Sequence, residues 1–226
     1  MSVESRRQPE GLRMCDELIA VHTVMRRGAV LTAGALHRLA DGDPLDVRAL
    51  VRLARWQTDF VHHHYVGEDA EFWPVLRRLF PDSAASLDSL TVEHATLDCE
   101  LRALSAAVDL LADARRLDRA GVRRAASRAL PAADKVRDVL VFQFDTGEPV
   151  FQRLFPQVPD RDIRRIRAAI GATTRWNGLH LVFGLLEDPF PTEGSAAMLR
   201  MVPRRLRALR PLALKRYRAL KTALGC

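Results

Sequence analysis

Apolar side chains recur at three- and four-residue intervals through most of this 226-residue chain, and strand-like alternation is nearly absent. That spacing lines one face of a helix, whereas the two faces of a strand alternate at every residue. Val139-Leu140-Val141-Phe142 is the one β-like run, and its flanks are helical. Alanine, leucine and arginine dominate the composition; unbranched side chains of this kind lose little freedom on a helix. The expectation is an all-α chain.

Breaks in the pattern divide it. A first helix is predicted from about Leu12 to Leu39, closed by the turn Asp41-Gly42-Asp43-Pro44. Asp43 is suited to cap the next helix and Pro44 to start it. The second helix runs to about Leu79, bent at Pro74, and Pro81-Asp82 form the next break. A third covers Ala84 to Arg115. The fourth, Arg119 to Leu154, contains Pro131 and Pro149 and is predicted to be kinked or in two pieces. Beyond Pro156-Gln157-Val158-Pro159 come a helix at about Asp162–Leu186, a loop through Asp188-Pro189-Phe190-Pro191, and one or two short helices around Pro203 and Pro211. The predicted organisation is a four-helix up-down bundle over residues 11–156, followed by a helical, basic extension over 157–226.

With 48% hydrophobic and 28% charged residues the chain can build a core, which excludes disorder. Cys15, Cys99 and Cys226 are scattered and form no C-x-x-C pair, so neither a zinc knuckle nor a disulfide framework is indicated. A reducing, cytoplasmic setting is expected. No apolar stretch follows Met1–Arg7, so neither a signal peptide nor a membrane span is expected. The net charge of +7 resides in the tail: residues 194–226 hold nine cations and no acid, leaving the rest slightly acidic. Leu199, Met201, Leu206, Leu209, Leu212, Leu214 and Leu220 in that tail call for burial. It is therefore read as docking onto the bundle, with no nucleic-acid partner.

The chemistry concentrates in Val61-His62-His63-His64-Tyr65-Val66-Gly67-Glu68-Asp69-Ala70-Glu71-Phe72-Trp73-Pro74. His64 and Glu68 are four apart, about 40° around a helix, so both can reach one metal ion or a bridged pair. Alone, this spacing also suits a solvated polar face. Each other long helix adds a donor, however: His22 in the first, His94 with Asp98 one turn on in the third, and Glu148 in the fourth. Histidines and acids converging from four helices are a recurring way to build a metal centre inside a bundle. Glu71, seven residues after His64, is either a spare ligand or a surface acid. With His64 inward, His62 and His63 fall in the outer shell or in solvent. Cys15 shares a stripe with His22 and reads as packing.

His64-x-x-x-Glu68-Asp69-x-x-Phe72-Trp73-Pro74 resembles the second-helix motif of the hemerythrin-like (HHE cation-binding) family. Val92-Glu93-His94 is similar to that family's third-helix motif, and Leu18-Ile19-Ala20-Val21-His22 to its first-helix histidine. The similarity spans residues 11–156. It implies a non-haem diiron centre on His22, His64, Glu68, His94 and Glu148, with Asp98, His63, Glu71 and Asp145 as further ligands or outer-shell groups. The implied partners are dioxygen and a small-molecule substrate. The implied roles are reversible dioxygen or nitric oxide binding, iron or redox sensing, or peroxide chemistry. Beside them stand a dioxygen-activating oxidoreductase, read from the departures in the ligand set, and, if the centre has been lost, a metal-free interaction protein. The chain departs from the family in the fourth helix: Phe144 stands where H-x-x-x-E has its histidine, and Gln143 or Asp145 would have to turn inward to compensate. A carboxylate-rich set with an apolar residue at 144 points to an open coordination place, and hence to dioxygen activation.

Overall fold

A computed structural model describes residues 9–114, 118–173 and 177–226, all in helices and connecting turns, with no strand among them. The elements are α1 (Glu10–Asp41), α2 (Val47–Gly67), a π-helical turn (Glu68–Phe72), α3 (Trp73–Leu79), α4 (Ala84–Ala114), α5 (Arg119–Leu154), α6 (Asp160–Thr173), α7 (Leu179–Glu187), α8 (Ser195–Met201), α9 (Arg204–Arg207) and α10 (Arg210–Ala223). Among the described residues no helix is long and apolar enough to cross a membrane.

The four long helices pack pairwise in a closed circuit: α1 on α2 and α5, α4 on α2 and α5. Gly42 ends α1 with φ +101°, a conformation only glycine adopts at no cost. The cap of α2 is Asp46, not Asp43. Its carboxylate accepts from the amides of Arg48 and Ala49, and its own amide donates to Ala223 at the end of α10. The contact with α10 holds residues 43–46 in a linker, so Pro44 lies before the helix rather than in it. α5 runs unbroken through Pro131 and Pro149. Arg115, the expected end of the third helix, lies outside the described residues. The helix expected over 162–186 is two, α6 and α7; residues 174–176 between them lie outside the description.

The C-terminal helices return to α1, with α6, α7 and α8 each packed on it and α10 packed on α7. Leu181, Val182, Leu185, Leu186, Met198 and Tyr217 join the same buried cluster as Val24, Met25, Leu50 and Leu97. Arg27 of α1 donates to the carbonyls of Leu185 and Phe190. Leu209 and Leu212, expected to be covered, remain 48% exposed.

α7 and α10 approach closely at Gly184, where an added Cβ would stand 2.0 Å from the Tyr217 ring. Gly184→Ala is expected to cost about 1–3 kcal/mol by overpacking. It should also loosen α10, seen as faster limited proteolysis near the C-terminus; unchanged unfolding and cleavage would refute this. The Tyr217 hydroxyl and Lys221 Nζ both donate to Asp188, at 3.1 and 2.8 Å. Partial burial would raise the Asp188 pKa, but the bonds from Lys221 and Tyr217 outweigh it and hold the carboxyl below its usual range. Its contribution is thus present above the unfolded carboxyl range and lost as pH falls through its lowered value. Asp188→Asn should flatten the acid limb of the stability profile. At neutral pH it should cost under about 1 kcal/mol, because the carboxylate is 37% exposed and screened. Urea midpoints at neutral and acid pH test this; an acid limb as steep in the variant would contradict it.

Candidate metal centre

The π-helical turn positions the site. Pro74 has no amide to donate, and the Trp73 amide reaches back five residues to Glu68 O. On a regular helix Glu68 and Trp73 would lie about 140° apart. The widened turn lets both face inward: Glu68 is 4% exposed and Trp73 1%. π-Turns of this kind recur at functional sites.

His22, His64, Glu68 and His94 form a polar layer between two apolar clusters. Met25, Val61, Tyr65, Leu97 and Phe144 belong to one cluster, and Leu18, Phe72, Trp73, Leu90 and Phe151 to the other. Glu68 stands at the middle of the layer. Its Oε1 lies 3.7 Å from His22 Nε2 and 3.2 Å from His64 Nε2, and its Oε2 lies 3.3 Å from His94 Nε2. The donor atoms of His22, His64 and Glu68 all fall within 4.8 Å of one another. None of His22 Nε2, His64 Nε2 and Glu68 Oε1 has a hydrogen-bond partner, although all three are buried. Leaving one such atom unpaired costs about 1–3 kcal/mol, so three at one point fit a ligand they share. Two imidazoles and a carboxylate match a first-row divalent metal ion. The residues present therefore fit a metal.

The outer nitrogens are held as metal-bound histidines usually are. His22 Nδ1 donates to Glu148 Oε1 at 3.1 Å, and His94 Nδ1 to Asp69 Oδ1 at 2.9 Å. With the proton on Nδ1, the His22 Nε2 lone pair turns inward. Burial would lower the His22 pKa, but the hydrogen bond to Glu148 and the negative charge of Glu68 outweigh it and raise the value. Burial dominates at His64 and lowers its pKa. Burial would raise the Glu68 pKa, but the imidazoles around it, His64 foremost with His22 and His94, hold it well below the usual carboxylate range. A carboxylate that stays ionised and an imidazole that stays neutral are the forms that ligate. At Cys15 burial pushes the thiol up to about 11, which makes it inert.

No family model, curated protein or solved structure matches this chain. The chemistry rests on its own residues.

The structure brings His22, His64, Glu68 and His94 together. Glu148 lies on the outer side of His22, where Arg26 also donates to it. Asp145, 62% exposed, pairs with Arg26. Asp98 accepts from the Tyr65 hydroxyl and pairs with Arg102. The Tyr65 hydroxyl in turn meets His62 Nδ1 at 2.6 Å. Glu71 is half-buried within the π-turn, and His63 is exposed. Phe144 stacks on His22, ring centroids 4.1 Å apart and planes 9° apart. Sequence reasoning missed Asp69 as the partner of His94, although the Glu68-Asp69 pair in the motif could have suggested it. Gln143 is buried, and its Oε1 has no partner. It lines a cavity beside Glu68 with His94, Trp73, Phe144 and Phe151, with room for about one water molecule.

Proposed function

We propose that this chain is a hemerythrin-like four-helix protein whose buried centre holds non-haem iron and binds dioxygen or a diatomic of similar size. The observation that carries the reading is the convergence of His22 Nε2, His64 Nε2 and Glu68 Oε1, unpartnered within a buried layer. Two imidazoles with one carboxylate are a donor set associated with iron(II) and open coordination places. Bound iron would supply a Lewis-acidic, one-electron-active centre. The protein's own part is to orient and to exclude. Glu148 and Asp69 hold the Nδ1 protons of His22 and His94, fixing ring orientation. Phe144, Phe151 and Trp73 wall the centre against water.

The cavity has room for about one water molecule, so a ligand larger than a small diatomic would need the walls to move apart. This favours binding or sensing without turnover over the oxidation of a bulky organic substrate within the site. Protein loaded anaerobically with Fe(II) is expected to retain iron through desalting. It should change its visible absorption on exposure to dioxygen or nitric oxide, without multiple turnover of added reductants. Iron below about half an ion per chain would leave a metal-free helical interaction protein. Sustained dioxygen consumption would restore the oxidase reading.

A further inference from the structure

The two oxygens of Glu68 face different surroundings. Oε1 meets His22 and His64, and both Nε2 atoms, like Oε1 itself, lack hydrogen-bond partners. Oε2 faces His94. A second ion bridged through Glu68 would have to gather its donors on the Oε2 side. Position 144, from which α5 could add an imidazole, holds a phenylalanine stacked on His22. Glu148 is engaged with the outer nitrogen of His22 and with Arg26. Asp98 is held by Tyr65 and Arg102, and Asp145 by Arg26 at the surface. Beside Glu68 lies instead the small cavity, lined by His22 as well as His94. Trp73, 1% exposed, and Gln143, 6% exposed, both line it, and Trp73 Nε1 and Gln143 Oε1 have no hydrogen-bond partner.

We infer that the centre takes a single metal ion, on His22, His64 and Glu68. The place a second ion would occupy is then a pocket for a small anionic or diatomic ligand, which accepts from Trp73 Nε1–H and, with the Gln143 amide turned about, from Gln143 Nε2–H, beside His94. The inference rests on the site being a metal centre and fixes how many ions it takes and what lies beside them. A phenylalanine at 144 removes a donor and adds a wall, and both changes serve such a pocket. Two unpartnered polar groups in an otherwise aromatic enclosure give a small polar ligand its orientation.

Metal analysis after anaerobic Fe(II) loading and desalting is expected to give one ion per chain in the wild type, in His94→Ala and in Gln143→Leu. His94→Gln repeats the measurement if truncation unfolds the chain. Azide titrated into the oxidised iron protein, followed by its charge-transfer absorption, should bind about 3- to 10-fold more weakly in Trp73→Phe and Gln143→Leu. Iron content in both should stay unchanged. Two ions per wild-type chain, or loss of iron from both His94 variants, overturns the single-ion assignment. Equal azide affinity in wild type, Trp73→Phe and Gln143→Leu overturns the pocket. A wild type that retains no metal overturns the underlying reading, a result distinct from two ions per chain.

Discussion

Glu68→Ala is expected to weaken metal binding by about 100-fold or more, the largest effect of any single change at the centre. Removing a group that only orients a ligand already costs about 10–100-fold. Glu68 is itself the donor that His22, His64 and His94 all face, so its loss should lie at or beyond that upper bound. The same change should abolish the stability gained from metal. A ligand at a hundred times its Kd stabilises the folded state by about 2.7 kcal/mol. Urea unfolding with and without Zn(II) or Fe(II) should show that increment in the wild type and none in the variant. A competing chelator gives the affinity directly. Wild-type affinity in Glu68→Ala would place the ion elsewhere.

Trp73→Ala is expected to cost about 3–5 kcal/mol even without metal. The indole is fully buried and stacks on His94 and Phe151, with centroids 5.9 and 5.5 Å away. It adjoins the cavity, so its removal enlarges a void that the aromatic walls cannot close by small shifts. For a chain of this size the midpoint of thermal unfolding should fall by roughly 6–20 °C. Leu212→Ala, at a half-exposed position on α10, should by contrast stay within about 0.5 kcal/mol. Differential scanning calorimetry of the two variants makes the comparison. A loss below about 1 kcal/mol at Trp73 would mean that the core around the centre collapses readily.

The sequence made some of this legible and concealed the rest, for reasons visible at particular residues. The pairing of His64 with Glu68 follows from helical geometry alone. His22 and His94 each lie within an apolar stripe, which marks them as inward-facing. The C-terminal end of α3 and the extent of α5 followed from proline and periodicity. The fate of Glu148 did not. An acid one turn from a metal site can ligate or can steady a neighbouring imidazole, and only the position of Arg26 decides which. Asp46 was hidden as a cap because its amide is fixed by Ala223, a contact between distant parts of the chain. The π-turn was invisible too, since spacing rules assume 3.6 residues per turn.

α1 carries His22 at its centre and is flanked by α2, α5, α6, α7 and α8. One rod is thus the axle for both the imidazole cluster and the returning tail. Release of the tail would strip packing from the same helix that carries His22.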